Sequence, residues 1–160
     1  MKIETRRMAF RAVASGNTLA GLALPYGGFS EVLHDRARPY RERFTRGAMN
    51  TSPDTVALYG HDPSGVPLAR AGANTLRFEQ TAEGLQFEMD LPESRPDIRE
   101  ALQRGDLTGA VSVGFYVNED GEEWQNRTSP AVRTVRSAEL VELSVVQIGA
   151  YPQSLGTMKS

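Results

Sequence analysis

The sequence predicts a mainly β protein of the α+β class, a barrel or curved sheet with one or two helices packed outside it. Two observations support this fold class. Short apolar segments with strand-like patterns recur along most of the chain, whereas a single segment carries clear helix signals. Several of the strand-like segments follow one another closely, and strands joined by short connections usually pair in antiparallel fashion.

The clearest strand covers residues 85–91 and follows the turn-like Ala82-Glu83-Gly84. Its apolar positions alternate with polar ones, as in a strand with one buried face. These apolar positions are Leu85, Phe87, Met89 and Leu91. In chain order, the other predicted strands are residues 18–24, 56–59, 76–79, 110–117, 132–136 and 140–148.

One helix is predicted to begin near Ser94 and to end at Gly105. Ser94 has the right type for an N-cap, Pro96 suits the first turn, and Asp97 completes a pattern similar to a capping box. Gly105 is a typical helix stop. The apolar stripe of this helix consists of Ile98, Ala101 and Leu102. We also predict a second, shorter helical turn at residues 46–50.

A chain of 160 residues fits a single domain with its own core, so we predict one domain over residues 1–160. The formal net charge of −2 gives no basis for generic nucleic-acid binding. Because the chain has no cysteine, the fold cannot depend on disulfides, cysteine-bound zinc or a thiol nucleophile. The first residues lack the apolar core of a signal peptide, and no apolar run has membrane-spanning length. We therefore expect a soluble intracellular protein.

Ser112 is the candidate nucleophile. In a strand over residues 110–117, Ser112 and Gly114 share one face, and the apolar side chains of this segment lie on the other. Gly114 has no side chain to block an approaching peptide, so we expect a substrate to reach the hydroxyl. The alternative is a chemically idle serine half-exposed in a strand.

His61 is the candidate general base, because a serine hydroxyl needs a neighbouring base to become nucleophilic near neutral pH. It follows the apolar run 56–59, which places it at a strand end. The other histidine, His34, lies in a charged stretch without periodicity. The alternative for His61 is a surface histidine beside the turn-like Asp62-Pro63-Ser64-Gly65.

Glu142 is the candidate acid that orients the base, and its apolar neighbours predict that it is buried. A buried carboxylate needs a cation or hydrogen-bond donors, because an isolated charge is costly in a low dielectric. His61 is one partner that satisfies it, and Arg133 or Arg136 in a structural salt bridge is the alternative. Glu139 is a weaker candidate for the same role.

Two other features have no assigned function. The arginine-rich stretch between residues 36 and 46 also contains acidic residues, so we interpret it as a solvated loop, with a grip on an acidic scaffold as the alternative. Trp124 is predicted near a hairpin tip, either as a lid over the core or as a contact residue.

The chain has no phosphate-binding loop, dinucleotide fingerprint, HExxH motif or GxSxG elbow, so we predict no cofactor and no metal.

These segments resemble, in order and over most of the chain, the prohead maturation serine proteases of tailed phages (the HK97-type family). Gly60-His61-Asp62 and Pro67-Leu68-Ala69-Arg70 are similar to the family's "N-H-D" and "P-L-G-R". The pattern "R-x-I-x-x-A-x-L-x-E-x-S" is matched at Arg133, Ala138, Leu140, Glu142 and Ser144. Further similar segments are residues 19–27, 43–49, 84–92, 104–107, 112–115 and 150–152. The chain departs from the family at Gly60, Ala69 and Gly149, where Asn, Gly and Pro are usual.

The resemblance implies a fold like that of the herpesvirus assemblin proteases, a closed or nearly closed, mostly antiparallel β-barrel surrounded by a few α-helices. It also implies cleavage of the scaffold region of the capsid protein, and self-cleavage, inside the procapsid in the bacterial host cytoplasm. His61 is then the base, Ser112 the nucleophile and Glu142 the third member. The viral enzymes use a second histidine in that third position, for which this chain offers His34.

The resemblance further implies backbone oxyanion donors near residues 133–136, by analogy with the viral fold. The expected partners are the capsid protein and further copies of this chain, for example in a dimer, with no nucleic acid and no membrane. The competing hypothesis from another class is a catalytically inactive barrel that binds scaffold or assists capsid assembly.

Overall fold

The computed structural model describes residues 1–30, 32–34 and 38–147. In this part of the chain, one α-helix, α1 (Pro96–Arg104), and a short 3-10 turn (Ala71–Ala73) accompany the strands. The strands are β1 (Glu4–Arg11), β2 (Val13–Ser15), β3 (Thr18–Pro25), β4 (Leu33–His34), β5 (Pro39–Phe44), β6 (Met49–Asn50), β7 (Val56–Tyr59), β8 (Ala69–Arg70), β9 (Leu76–Gln80), β10 (Gly84–Asp90), β11 (Ala110–Val117), β12 (Glu122–Gln125), β13 (Ala131–Val135) and β14 (Ala138–Val145).

The strands pair into three sheets. Sheet A has the order β1-β11-β14-β7-β8, with β6 also paired to β14. Sheet B has the order β2-β3-β10-β9, and sheet C the order β12-β13-β5-β4. Parallel pairs join β14 to β6 and β7, and β13 to β5, while the remaining pairs are antiparallel. The predicted α+β class is confirmed, but none of the sheets formed by the described strands closes into a barrel.

Most of the predicted strands are present. The strand predicted at residues 85–91 is β10, in which Leu85, Phe87 and Met89 are buried and the residues between them are exposed. The predictions at 56–59 and 110–117 match β7 and β11, and those at 18–24, 76–79 and 132–136 match β3, β9 and β13 within one residue at each end. The strand predicted at 140–148 is β14, which begins two residues earlier and ends at Val145, and Ile148 lies outside the described residues.

The predicted helix is α1, but its N-terminal cap differs from the prediction. Arg95, and not Ser94, occupies the N-cap position, and no side chain caps the helix there. The Asp97 carboxylate instead accepts hydrogen bonds from the Arg95 guanidinium at 3.1 Å. Ile98 is buried as predicted, and Gly105 ends the helix in a left-handed conformation.

The predicted helical turn at residues 46–50 is wrong. Arg46 and Gly47 form a turn, and Met49 and Asn50 form β6, which pairs in parallel with the start of β14. Met49 is fully buried in the core. Tertiary pairing with β14 therefore overrides the weak local helix signal.

The solvated loop predicted for the arginine-rich stretch is also wrong where that stretch is described. Residues 39–44 form β5, with Tyr40, Glu42 and Phe44 buried and the arginines between them exposed. Arg36 lies outside the described residues. An inward-facing glutamate interrupts the apolar alternation that identifies strands, which is why the pattern did not predict one.

Glu42 belongs to an ion-pair cluster that connects sheet A to sheet C, which we call the Glu42 network. Its members are Glu4, Arg6, Glu42, Glu122 and Arg133. Arg6 binds Glu42 through two hydrogen bonds of 2.7 and 3.0 Å, and Arg133 donates to Glu42 at 3.0 Å and to Glu4 at 2.7 and 2.9 Å. Burial alone raises the pKa of Glu4, but hydrogen bonds and charges from Arg133 and Arg6 outweigh it, so this pKa is lowered.

Trp124 lies within β12 and not at a hairpin tip. Its ring packs edge-on against Tyr40 with centroids 5.1 Å apart, and the Arg38 guanidinium lies 4.2 Å from its ring centroid. Trp124 thus covers a small cluster of buried residues in sheet C, consistent with the lid interpretation. No helix in the described ranges is long and apolar enough to cross a membrane.

Candidate active site

Sheet A brings the predicted site residues to one face. Ser112 on β11 lies opposite Ser144 on β14, and the neighbouring pair on the same face is Gly114 and Glu142. Because β7 runs parallel to β14, its carboxyl end lies beside the carboxyl end of β14. His61 follows that end of β7 by two residues, so its ring can reach back over the sheet.

The three predicted side chains form a continuous chain of contacts. His61 Nε2 lies 2.8 Å from Ser112 Oγ, and His61 Nδ1 lies 2.5 Å from Glu142 Oε2. An ionised carboxylate can only accept, so it favours the tautomer with the proton on Nδ1. His61 Nε2 is then left to accept the hydroxyl proton of Ser112. These two contacts argue against the alternative of a surface histidine beside a turn.

A tight left-handed turn presents His61 to the sheet. Gly60 and His61 both have positive φ, 63° and 62°, and the Asp62 N–H donates to the Tyr59 carbonyl at 3.2 Å. Two consecutive residues of positive φ define a type I′ turn. The family that the sequence resembles usually has Asn where this chain has Gly60. Asn and Gly are the residues that adopt this conformation most readily. Gly60 therefore preserves the turn despite the lost side chain.

Ser144 is a site residue to which the sequence assigned no role. Its fully buried hydroxyl accepts a hydrogen bond from the His61 backbone N–H at 2.9 Å and donates one to Glu142 Oε1 at 2.6 Å. One side chain thus fixes both the turn that carries the base and the orientation of the acid. The available signal is spacing, because residues two apart on a strand share a face and Ser144 follows Glu142 by two positions.

Glu142 is buried as predicted, and a β-bulge determines where its carboxylate lies. Gly114 pairs with Glu142 and Phe115 with Leu140, so Val141 has no partner on β11. The carboxylate occupies the space above Gly114: a Cβ at Gly114 would lie 3.0 Å from Glu142 Cδ and closer still to Oε2. Gly114 therefore makes room for the acid, and not for a peptide as predicted.

The other candidates for the acid position lie elsewhere. Glu139 accepts hydrogen bonds of 2.8 Å from the side-chain amides of Asn50 and Asn118. His34 is exposed on β4, in sheet C. Across the described part of the chain, no cluster of three or more His, Cys, Asp or Glu side chains has the arrangement of a metal site.

The two arginines considered as salt-bridge partners of Glu142 are paired with other acids. Arg133 belongs to the Glu42 network, and Arg136 contacts Glu123. Arg133 lies on β13, which runs between β12 and β5, and Arg136 directly follows this strand and donates its N–H to the Gly121 carbonyl at 2.7 Å. Sheet pairing thus engages the backbone of residues 133–136, which argues against this segment as the source of oxyanion donors.

The expected access of substrate to Ser112 is not seen in this conformation. Ser112 is 0% exposed, whereas the His61 side chain is 30% exposed. Arg7 lies opposite Ser112 on β1, and its guanidinium donates to the Gln147 carbonyl at 3.5 Å. A cleft of about 440 Å³ opens beside His61 and Glu142. The site is therefore open to solvent on the side of the base and closed over the nucleophile.

A serine hydroxyl, an imidazole and a carboxylate in contact in that order are the groups with which serine hydrolases act. The family model of the Caudovirus prohead serine proteases matches residues 2–159. The chain therefore belongs to this family, and the resemblance noted in its sequence is confirmed. No curated protein and no solved structure matches the chain.

Proposed function

We propose that this protein is a serine endopeptidase that cleaves the scaffold region of the phage capsid protein, and itself, during procapsid maturation. Membership of the prohead serine protease family supports the reaction class and the setting inside a procapsid in the host cytoplasm. The observation that carries the assignment of residues is the contact series from Ser112 through His61 to Glu142.

The proposed reaction is acyl transfer. His61 Nε2 takes the hydroxyl proton of Ser112 while Ser112 Oγ bonds to the scissile carbonyl carbon. The protonated His61 then gives this proton to the leaving amine as the C–N bond breaks, which leaves an acyl-enzyme. Water attacks the ester, His61 again accepts a proton, and the Oγ–C bond breaks to release the new carboxyl terminus and regenerate the serine.

Glu142 and Ser144 prepare His61 for this cycle. The Glu142 carboxylate holds the tautomer with the proton on Nδ1 and stabilises the imidazolium that forms when Nε2 is protonated. The Ser144 hydroxyl occupies the second carboxylate oxygen, Oε1, and holds the backbone of the His61 turn. We assign Ser144 as a positioning residue, because it acts on the base and the acid and not on the substrate.

The proposal treats residues 1–160 as one protease domain. It is supported by a single core cluster that takes Phe115 from sheet A, Leu24 from sheet B and Val135 from sheet C. The assemblin-like barrel and the assembly of several copies of the chain stay predictions.

The direct test is Ser112→Ala in the full chain co-expressed with its cognate capsid protein. We expect wild-type protein to release the scaffold fragment and to cleave itself, and the variant to do neither. Ser15→Ala, an exposed serine on β2, is the matched control and should cleave like wild type. Equal thermal unfolding of both variants shows that the fold is intact. Scaffold cleavage that persists in Ser112→Ala rejects the assignment.

The full burial of Ser112 favours one alternative, a domain that keeps the fold but acts only in capsid assembly. A fluorophosphonate probe separates the two, because it reacts with an activated serine and needs no substrate recognition. Modification of Ser112 that is lost in His61→Ala supports the protease. Wild-type protein that stays unmodified, and that leaves capsid protein intact inside assembled procapsids, supports the assembly domain.

A further inference from the structure

The cleft beside His61 lies on the same face of sheet A as the candidate catalytic side chains. Its walls come from three strands and from the loop that follows His61. The apolar wall residues are Ile3 just before β1, Val56 and Leu58 on β7, Val141 on β14, and Pro63 and Pro67 in the loop. Thr5, His61, Gly65 and Glu142 complete the lining. The cleft and the proposed catalytic pair of base and acid therefore share two residues.

The chemistry of the lining selects against charged occupants. Glu142 is the one carboxylate among the residues that line the cleft, and its oxygens already accept from His61 and Ser144. A lysine or arginine side chain of a substrate would find no unpaired carboxylate there. An acidic side chain would approach Glu142 and lose its hydration without gaining a cation.

The rim of the cleft is also apolar. Ile3 is 44% exposed and Val66, between the lining residues Gly65 and Pro67, is 91% exposed. Large apolar side chains left in water around a concave apolar site are typical of a surface that is covered when a partner binds. Because His61 forms part of the wall, the partner that reaches this site is the polypeptide undergoing cleavage.

We propose that this cleft is a substrate subsite that holds a large apolar side chain, of the size of leucine or phenylalanine, close to the scissile bond. The proposal rests on the function assigned above and adds the class of substrate residue. Burial of that side chain against Val56 and Leu58 would exclude water from the His61–Glu142 pair, where exclusion of water strengthens electrostatic interactions. The apolar residue thus contributes to recognition and to the environment of the base.

The test uses a proteome-derived peptide library and the full-length protein, with cleavage sites identified by mass spectrometry. We expect one fixed position near the cleaved bond to be enriched in Leu, Ile, Met or Phe. For synthetic peptides that differ at that position alone, kcat/KM should fall by at least about 10-fold from Leu to Lys or Glu. Cleavage with a charged residue preferred at that position, or with no apolar preference at any position, overturns the subsite.

A variant tests whether the preference for an apolar substrate residue arises in this cleft. Val56→Phe fills part of the cleft without adding charge, so the ratio of kcat/KM for Leu peptides to kcat/KM for Ala peptides should fall by about 10-fold. Val132→Phe, at a partly exposed valine on β13, is the matched control and should keep the wild-type preference. An unchanged preference in Val56→Phe contradicts the proposal.

Fluorophosphonate modification of Ser112 separates this inference from the function on which it rests. Val132→Phe, whose side chain lies outside the cleft lining, should be modified at the wild-type rate. A wild-type protein that is modified and cleaves peptides without an apolar preference rejects the subsite alone. Wild-type protein that neither reacts nor cleaves rejects the proposed function and the subsite with it.

Discussion

Glu142 lies in place because the residue opposite it has no side chain. The carboxylate fills the volume that a Cβ at Gly114 would need, and the bulge at Val141 aims it toward His61. The position of the acid thus depends on the absence of a Cβ at Gly114 and on Val141, which has no pairing partner on β11. Neither feature is visible in a strand pattern, because both depend on the register between β11 and β14.

Gly114→Ala should therefore disable the site. The added methyl group forces the Glu142 carboxylate away from His61 Nδ1, and we expect kcat to fall by about 10²- to 10⁴-fold, as when a triad acid is lost. Steady-state kinetics on a cleaved peptide measures this effect. Gly28→Ala is the control, because a Cβ there meets nothing within 4 Å, and it should keep full activity. Normal turnover in Gly114→Ala would show that Glu142 does not act through His61.

Ser144→Ala should lower kcat by about 10- to 100-fold with little change in KM. Losses of this size are typical when a residue that orients another functional side chain is removed. The hydroxyl contacts the base and the acid but no substrate, so binding should be unaffected. Thr55→Val is the matched control: Thr55 is also buried, and its hydroxyl donates to the Leu140 carbonyl on the same strand at 3.0 Å. It should lose stability and keep kcat. Equal kcat in both variants would reduce Ser144 to a structural role.

At the scale of elements, β1 at the edge of sheet A and β5 inside sheet C show how a strand can turn charged side chains toward the protein interior. Each carries an inward-facing acid that breaks the apolar alternation, Glu4 in β1 and Glu42 in β5. The Glu42 network compensates the buried charges with two guanidinium groups and joins strands of sheets A and C. Since β1 lies beside β11 in sheet A, the network also supports the strand next to Ser112.

Glu42→Gln should reduce the free energy of unfolding by about 3 kcal/mol, because it leaves two buried guanidinium groups short of an acceptor charge. Urea unfolding followed by fluorescence of the single tryptophan measures the loss. Glu123→Gln tests an exposed pair with Arg136 and should cost less than about 1 kcal/mol. Similar losses in the two variants would mean that the network contributes no more than a surface ion pair.

The sequence predicted the strands whose apolar residues alternate or run together, and it missed those whose pattern is interrupted or very short. It identified β3, β7, β9, β10, β11, β13 and β14 but not β1 or β5. In the site it selected Ser112, His61 and Glu142 by residue type and strand context. It did not predict the Ser144 bridge, whose contact with His61 spans 83 positions, or the space above Gly114, because both depend on the pairing of β14 with distant strands.

At the scale of the molecule, the lowered pKa of Glu4 links stability to pH. A carboxylate with a folded pKa below its ordinary value of 4.5 contributes its full stabilisation above that value and loses it as the pH falls through the folded pKa. We therefore expect the unfolding free energy to fall on acidification below about pH 4.5.

Glu4→Gln should flatten the acid limb, which is the fall of the unfolding free energy below about pH 4.5, because the uncharged side chain cannot titrate. Urea midpoints measured across the acidic range provide the comparison. Asp97→Asn is the control, since Asp97 lies on the surface of α1 beside Arg95 and its removal should leave the acid limb of Glu4 in place. An unchanged acid limb in Glu4→Gln would assign the pH dependence to other carboxylates.

The full burial of Ser112 implies that the proposed endopeptidase is latent in this conformation. A substrate would reach the Ser112 hydroxyl only after the residues around it move, which would delay the proposed cleavage until such a movement occurs. The rate at which a small electrophile modifies Ser112 then reports how often the residues around this serine move. Any shell component that accelerates the modification without being cut would identify itself as the trigger.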